Sequence, residues 1–123
     1  MAVTYTTAVK NARLDAVVTA IGSTGVLEIG TTGMASILAT IALNPTAGTS
    51  SGGVLTFSGF PKSDTSADNS GTAAAARIRT ASGGTDVVTG LTVGTSGSDI
   101  NLTSTSITAG QTVTISSATI THA

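Results

Sequence analysis

Residues 72–80 read TAAAARIRT, and whether they form a helix or a strand decides the fold. Four consecutive alanines suit a helix by intrinsic propensity. The flanking Thr72, Ile78 and Thr80 are β-branched and suit a pleated surface instead. Ser82-Gly83-Gly84 follows closely and marks a turn. The spacing therefore predicts a strand. Ala74, Ala76 and Ile78 share one face, and Ala73, Ala75, Arg77 and Arg79 share the other. Residues 86–93, DVVTGLTV, are the expected partner strand across the turn ASGG at 81–84.

The same period of two extends in both directions. Upstream, residues 26–29 form a short strand with Val26 and Glu28 on one face and Leu27 and Ile29 on the other. Residues 35–43 follow, with Ile37, Ala39, Ile41 and Leu43 opposite Leu38, Thr40 and Ala42. Asn44-Pro45 ends that strand, because proline cannot donate to a ladder. Residues 54–58, VLTFS, are next, closed by Gly59 and Pro61. By composition, PTAGTSSGG at 45–53 reads as a flexible loop and PKSDTSADNSG at 61–71 as the most polar loop.

Downstream, residues 94–115 read GTSGSDINLTSTSITAGQTVTI. Ile100 and Leu102 share a face, as do Val113 and Ile115, while Ala118 and Ile120 fall in the other register. One extra residue at Ser116-Ser117 would restore the apolar face, so a bulge is expected there.

Only one segment has helical periodicity. Leu14, Val17, Val18 and Ile21 recur at i, i+3, i+4 and i+7, which predicts a helix at about 7–21. Thr6 or Thr7 can cap its start, and Gly22 can end it in the left-handed region. Lys10, Arg13 and Asp15 lie away from the centre of the stripe. The resulting expectation is a single domain over 1–123: a mainly β, antiparallel sandwich of seven or eight strands (Ig-like or jelly-roll-like) with one N-terminal helix.

Composition narrows the function classes. Aromatic residues are 2% (Tyr5, Phe57 and Phe60), so the core must be built from small aliphatic side chains in close contact. Charged residues are 9%, against about 25% in a typical soluble chain. Apolar runs stay far below the ~20 residues of a membrane helix. High hydrophobicity and low charge argue against disorder. Ser and Thr supply the polar surface, and burying a hydroxyl costs less than burying an ammonium or carboxylate. Such a surface suits a protein that works inside an assembly. The chain has no cysteine, which excludes disulfides and thiolate metal sites. The first fifteen residues lack a basic segment followed by an apolar one, so assembly in the cytoplasm is expected.

Catalytic motifs are absent, and no enzyme is expected. His122, the single histidine, stands near the end of the sequence, where a solvated or neighbour-contacting role outweighs general-base work. Asp64, Asp68 and Asn69 crowd one loop, but without the alternating ligand spacing of a calcium loop. Turn formation with their own backbone is the expected role. Arg77 and Arg79 can pair with Asp64, Asp68 or a partner's acids. Without interleaved aromatics or net positive charge they make no case for nucleic acid. The glycine-rich segments 48–53 and 81–84 precede no helix, so they read as turns rather than phosphate cradles. Tyr5 can staple the helix start to the sheet, Phe57 is expected in the core, and Phe60 in the core or a contact. No cofactor, metal or catalytic residue is expected.

Four blocks carry a resemblance: YTTAVKNARLDAVVTAI, GVLEIG, SSGGVLTFSGF with SDTSADNSGTAAAARI, and the closing VGTSGSDINLTSTSITAGQTVTISSATITHA. Together they span nearly the whole chain and resemble a group of small tailed-phage and prophage virion proteins, often encoded close to head genes. Members often carry a bulkier aromatic segment where this chain has AAAARIRT. The resemblance implies a virion component and no catalytic residue. With the neutral surface, it leads to the expectation of a capsid decoration (cement) protein on the virion surface, a structural protein bridging major capsid subunits. Its partners would be the major capsid protein and copies of itself, possibly as trimers, without membrane or nucleic acid. The alternative is a tail tube, connector or tail-tip protein. A carbohydrate-binding sandwich would need exposed aromatic platforms that three aromatics scarcely supply.

Overall fold

The computed structural model describes residues 4–122. It contains one α-helix, α1 (Thr7–Ile21), and eleven strands: β1 (Val26–Gly30), β2 (Ile37–Ala42), β3 (Gly48–Ser51), β4 (Val54–Phe57), β5 (Lys62–Asp64), β6 (Gly71–Thr72), β7 (Ala75–Arg79), β8 (Asp86–Gly94), β9 (Ile100–Leu102), β10 (Ser106–Ile107) and β11 (Val113–Thr121).

The TAAAARIRT stretch is a strand. β7 lies between β1 and β8, antiparallel to both. Ala76 and Ile78 are fully buried, and Arg77 and Arg79 lie on the opposite face. The alternation breaks before the strand begins: Ala73 is buried and Ala74 exposed. Gly90 interrupts β8 with a positive φ of 75°, near the point where the β7–β8 register slips between Ala76 and Ile78. A glycine inside a strand commonly serves such a bulge, since it adopts this conformation without strain.

The mainly β composition with one N-terminal helix stands; the antiparallel sandwich does not. Nine strands form one mixed sheet in the order β2-β1-β7-β8-β9-β11-β4-β3, with β5 also on β11. β8 and β9 run parallel. β6 and β10 form a separate two-stranded ribbon. The large sheet curls into a half-barrel instead of facing a second sheet. β4 and β5 lie one after the other along β11, at Thr119–Thr121 and Val113–Ile115 respectively, so residues 54–64 follow β11 with one interruption at 58–61. The bulge expected at Ser116-Ser117 is present: Ile115 faces Leu102, but Ser117 faces Asn101.

Two segments expected to be loops contain strands. GTSS at 48–51 pairs with VLTF at 54–57. The two residues between them, Gly52 and Gly53, have φ of 60° and 78°. Two successive left-handed residues match the twist of a tight hairpin, which explains the Gly-Gly. In the polar loop, residues 62–64 pair with β11 and 71–72 with β10.

α1 begins at Thr6, whose hydroxyl accepts a hydrogen bond from the Val9 N–H at 3.4 Å. It ends at Gly22 (φ 73°), whose N–H donates to Val18 O. Leu14 and Ile21 are buried, and Val17 and Val18 pack against the core at its edge. The helix rests on β3, β4 and β8. Polar contacts fix it to the hairpin: Asn11 Oδ1 accepts from the Gly53 N–H at 2.9 Å, and the Ser50 hydroxyl donates to Asp15 Oδ1 at 2.6 Å. The core is aliphatic, with Leu27, Ile29, Leu38, Leu55, Ile78, Ile100 and Ile115 wholly enclosed. Phe57 is its one buried aromatic, as expected, and Phe60 packs at its margin.

Candidate functional site

Glu28 is the one buried charged residue among those described, at 6% exposure. Cross-strand register places it beside Arg77, because Glu28 on β1 is directly opposite Arg77 on β7. Arg77 Nε donates to Glu28 Oε1 at 2.6 Å. Arg79 Nη1 lies 3.9 Å from the same oxygen, and Arg79 Nε lies 2.8 Å from Asp86 Oδ1, a charge contact without hydrogen-bond alignment. Two cations thus balance two carboxylates. Asp64, Asp68 or a partner's acids were the counter-ions expected for the arginines; within the chain they pair instead with Glu28 and Asp86. That leaves both arginines engaged within the sheet.

Asp64, Asp68 and Asn69 do not converge on a cation site. Both Asp64 oxygens are used: Oδ2 accepts from the Thr40 N–H and Oδ1 from the Ser66 N–H, each at 3.0 Å. The second contact is the expected turn of an aspartate with its own backbone. The Asp68 N–H donates to Leu38 O, and Asn69 Nδ2 donates to Ile37 O. Ala67, buried, donates to Gln111 O and accepts from the Gly110 N–H. No three acidic or histidine side chains that could hold a metal ion come together among the described residues. The loop instead seals the outer edge of β2, a row of backbone groups that would otherwise be open to pairing with another chain.

Removing the Asp64 carboxylate tests this role. Asp64→Ala is expected to cost about 1–3 kcal/mol by denaturant titration, since a charge-assisted bond to a backbone N–H is lost. Hydrogen exchange at the Thr40 amide should accelerate. An unchanged amide would mean that β2 does not depend on this cap.

A groove of about 420 Å³ lies between α1 and the end of β11, lined by Arg13, Leu14, Val17, Ile120, Thr121 and His122. His122 is held in place: its N–H donates to Gly53 O at 2.9 Å. Its ring meets Tyr5 edge to face, with centroids 5.8 Å apart. The Arg13 guanidinium carbon sits 4.6 Å above the Tyr5 ring. Tyr5 therefore does link the helix start to the sheet, through the residue that follows β11.

Lys and Arg number five and Asp and Glu six. Most are engaged inside the fold: Glu28, Arg77, Arg79 and Asp86 with one another, Asp64 with Thr40, Asp15 with Ser50, Asp99 with Thr92, and Lys62 with Asn44. Among the described residues, the side chains of Lys10, Arg13 and Asp68 make no ion pair or hydrogen bond. Ser and Thr hydroxyls dominate the rest of the exterior. The composition pointed to this neutral surface; it did not show that the few charges are also internally matched. Among the described residues, no helix is long and apolar enough to cross a membrane. Comparison of the chain with protein-family models, curated proteins and solved structures finds no match.

Proposed function

We propose that the protein is a capsid decoration protein of a tailed phage, set in many copies on the outside of the shell, where each copy bridges major capsid subunits. The observation that carries this reading is the exterior: most of the few charged side chains are paired within the fold, Lys10, Arg13 and Asp68 excepted, and the rest of the surface is mainly hydroxyl and small apolar. Closing such a surface against a neighbour desolvates few ions, so little of the contact energy is lost to charge burial. The resemblance of the four sequence blocks to tailed-phage virion proteins supports the same reading. A ladder-bonded sheet with an aliphatic core adds stiffness, which bridging requires. Each contact can be weak, because several contacts per copy raise the effective affinity.

Mass spectrometry of purified virions and of tail-less heads tests the proposal. The protein is expected in both, at high copy number, and heads stripped of it should release their DNA at lower temperature. Absence from heads would overturn the decoration role. Recovery in isolated tails alone would replace it with a tail component.

A further inference from the structure

Lys62 differs from the paired arginines in what it meets. Arg77 and Arg79 face carboxylates, whereas Lys62 Nζ donates to an amide oxygen, Asn44 Oδ1, at 2.7 Å in a part-buried position. Among the described residues it makes no ion pair. Asp64, two positions further along β5, is held by the Thr40 and Ser66 amides. The amide carbon of Asn44 lies one C=O bond behind the accepting oxygen. Nζ is therefore no more than about 4 Å from Asn44 Cγ. Reacting atoms in a near-attack pair stand roughly 3–3.5 Å apart, so the two groups are a small shift from that geometry.

The fold holds both groups in place. The Asn44 amide rests against Gly59, which has a φ of 81°. A Cβ at 59 would stand 2.6 Å from Asn44 Nδ2 and 3.2 Å from its Cγ, so the missing side chain is what leaves room for the amide. Gly59 is itself exposed, which gives a group released from Cγ a way out to solvent. The centre of the Phe60 ring lies 5.9 Å from Nζ. The Lys62 backbone is laddered to β11 opposite Ile115.

We propose that Lys62 and Asn44 join in an intramolecular isopeptide bond. The lysine ammonium first gives one proton to water, which its half-exposed position allows. The Nζ lone pair then attacks Asn44 Cγ. The Nζ–Cγ bond forms, the Cγ–Nδ2 bond breaks, and Nδ2 leaves as ammonia with a second proton from the amine. Nothing is oxidised or reduced, and no co-reactant is consumed. The next residue, Pro45, has no backbone N–H. Loss of ammonia by attack of the following backbone nitrogen, the common fate of asparagine, is thereby closed, and Lys62 is the amine within reach. The bond ties the chain just after β2, an outer strand of the sheet, to β5 on β11, and encloses the β3–β4 hairpin in a covalent loop. Such a link acts mainly on the unfolded chain, which can no longer open between 44 and 62. It is a property of the purified chain and does not depend on the capsid proposal.

Intact-mass measurement of the full chain tests this, before and after several days at about pH 9, where more of the amine is neutral. Part of the protein should become lighter by one ammonia. Trypsin cuts after Lys and Arg, so the linked form should lose the cut after Lys62 and yield residues 14–77 as one peptide. Fragmentation of that peptide should show a branch joining 44 to 62. The thermal midpoint should rise by on the order of 10 °C as the bond forms. Lys62→Arg keeps the positive charge but offers no nucleophilic amine, and the loss should vanish. Wild-type protein that keeps its full mass and is still cut after Lys62 overturns the proposal, whether or not the variant folds. Ammonia loss that persists in Lys62→Arg also overturns it, because the loss then belongs to another asparagine.

Discussion

Arg77→Met should destabilise the fold by about 2–4 kcal/mol, measured by urea titration at neutral pH. Glu28 is closed in between β2 and β7, and Arg77 supplies its one hydrogen-bonded cation. Removing that partner leaves a carboxylate that has lost water and gained nothing in return. Arg79 cannot replace it, being 3.9 Å away and shared with Asp86. The lower end of the range reflects the partial exposure of Arg77, through which water can screen the loss. Replacing both partners, Glu28→Leu with Arg77→Leu, should recover most of the stability, because a buried ion pair gains little over a well-packed apolar pair. An Arg77→Met protein within about 0.5 kcal/mol of wild type would show that Glu28 finds water or another donor.

The second large effect is expected one position further along. Ile78→Ala should cost about 2–5 kcal/mol and lower the thermal midpoint by on the order of 10 °C. Ile78 has no exposed surface and sits opposite Leu27 on β1 and Val88 on β8. These strands are laddered on both sides, so their backbones cannot close around the void. Ala74→Val is the control. It changes a side chain by a similar volume at an exposed position just outside the strand, and should be near neutral. Equal effects at 74 and 78 would contradict the observed facing of the stretch.

The alternation from Ala76 to Arg79 was legible in TAAAARIRT; the exposure of Ala74, which the same alternation placed with Ile78, was not. The helix and its caps were legible too, because capping chemistry and a 3.6-residue period are local. The bulge at Ser116 could be read because the apolar positions change parity there. Pairing could not be read. Glu28 and Arg77 are 49 positions apart, and a face assignment does not say which strand lies alongside. An acid inside VLEIG, a strand with no other polar side chain, was the available sign that a cation had to be near. β3 escaped notice because GTSS has no apolar residue to show its period; only the Gly-Gly spacer before VLTF marked a hairpin. The parallel β8–β9 contact escaped because the short link between those strands suggests a hairpin, whereas residues 95–99 turn the chain so that it continues in the same direction.

The position of β11 within the sheet bears on how the molecule comes to be folded. This strand is the last in chain order, yet it joins β9 on one side to β4 and β5 on the other. During synthesis, β1, β2, β7 and β8 can pair as soon as they emerge, and the β3–β4 hairpin can close on its own turn. The two groups remain unconnected until residues 113–121 are available. Assembly of the sheet is thus gated by its final strand, and non-local pairing of this kind folds slowly. Until that strand inserts, the edges of β9 and β4 stand open, which makes the interval before residues 113–121 emerge the stage most exposed to misassociation and the one at which a chaperone would have most to protect.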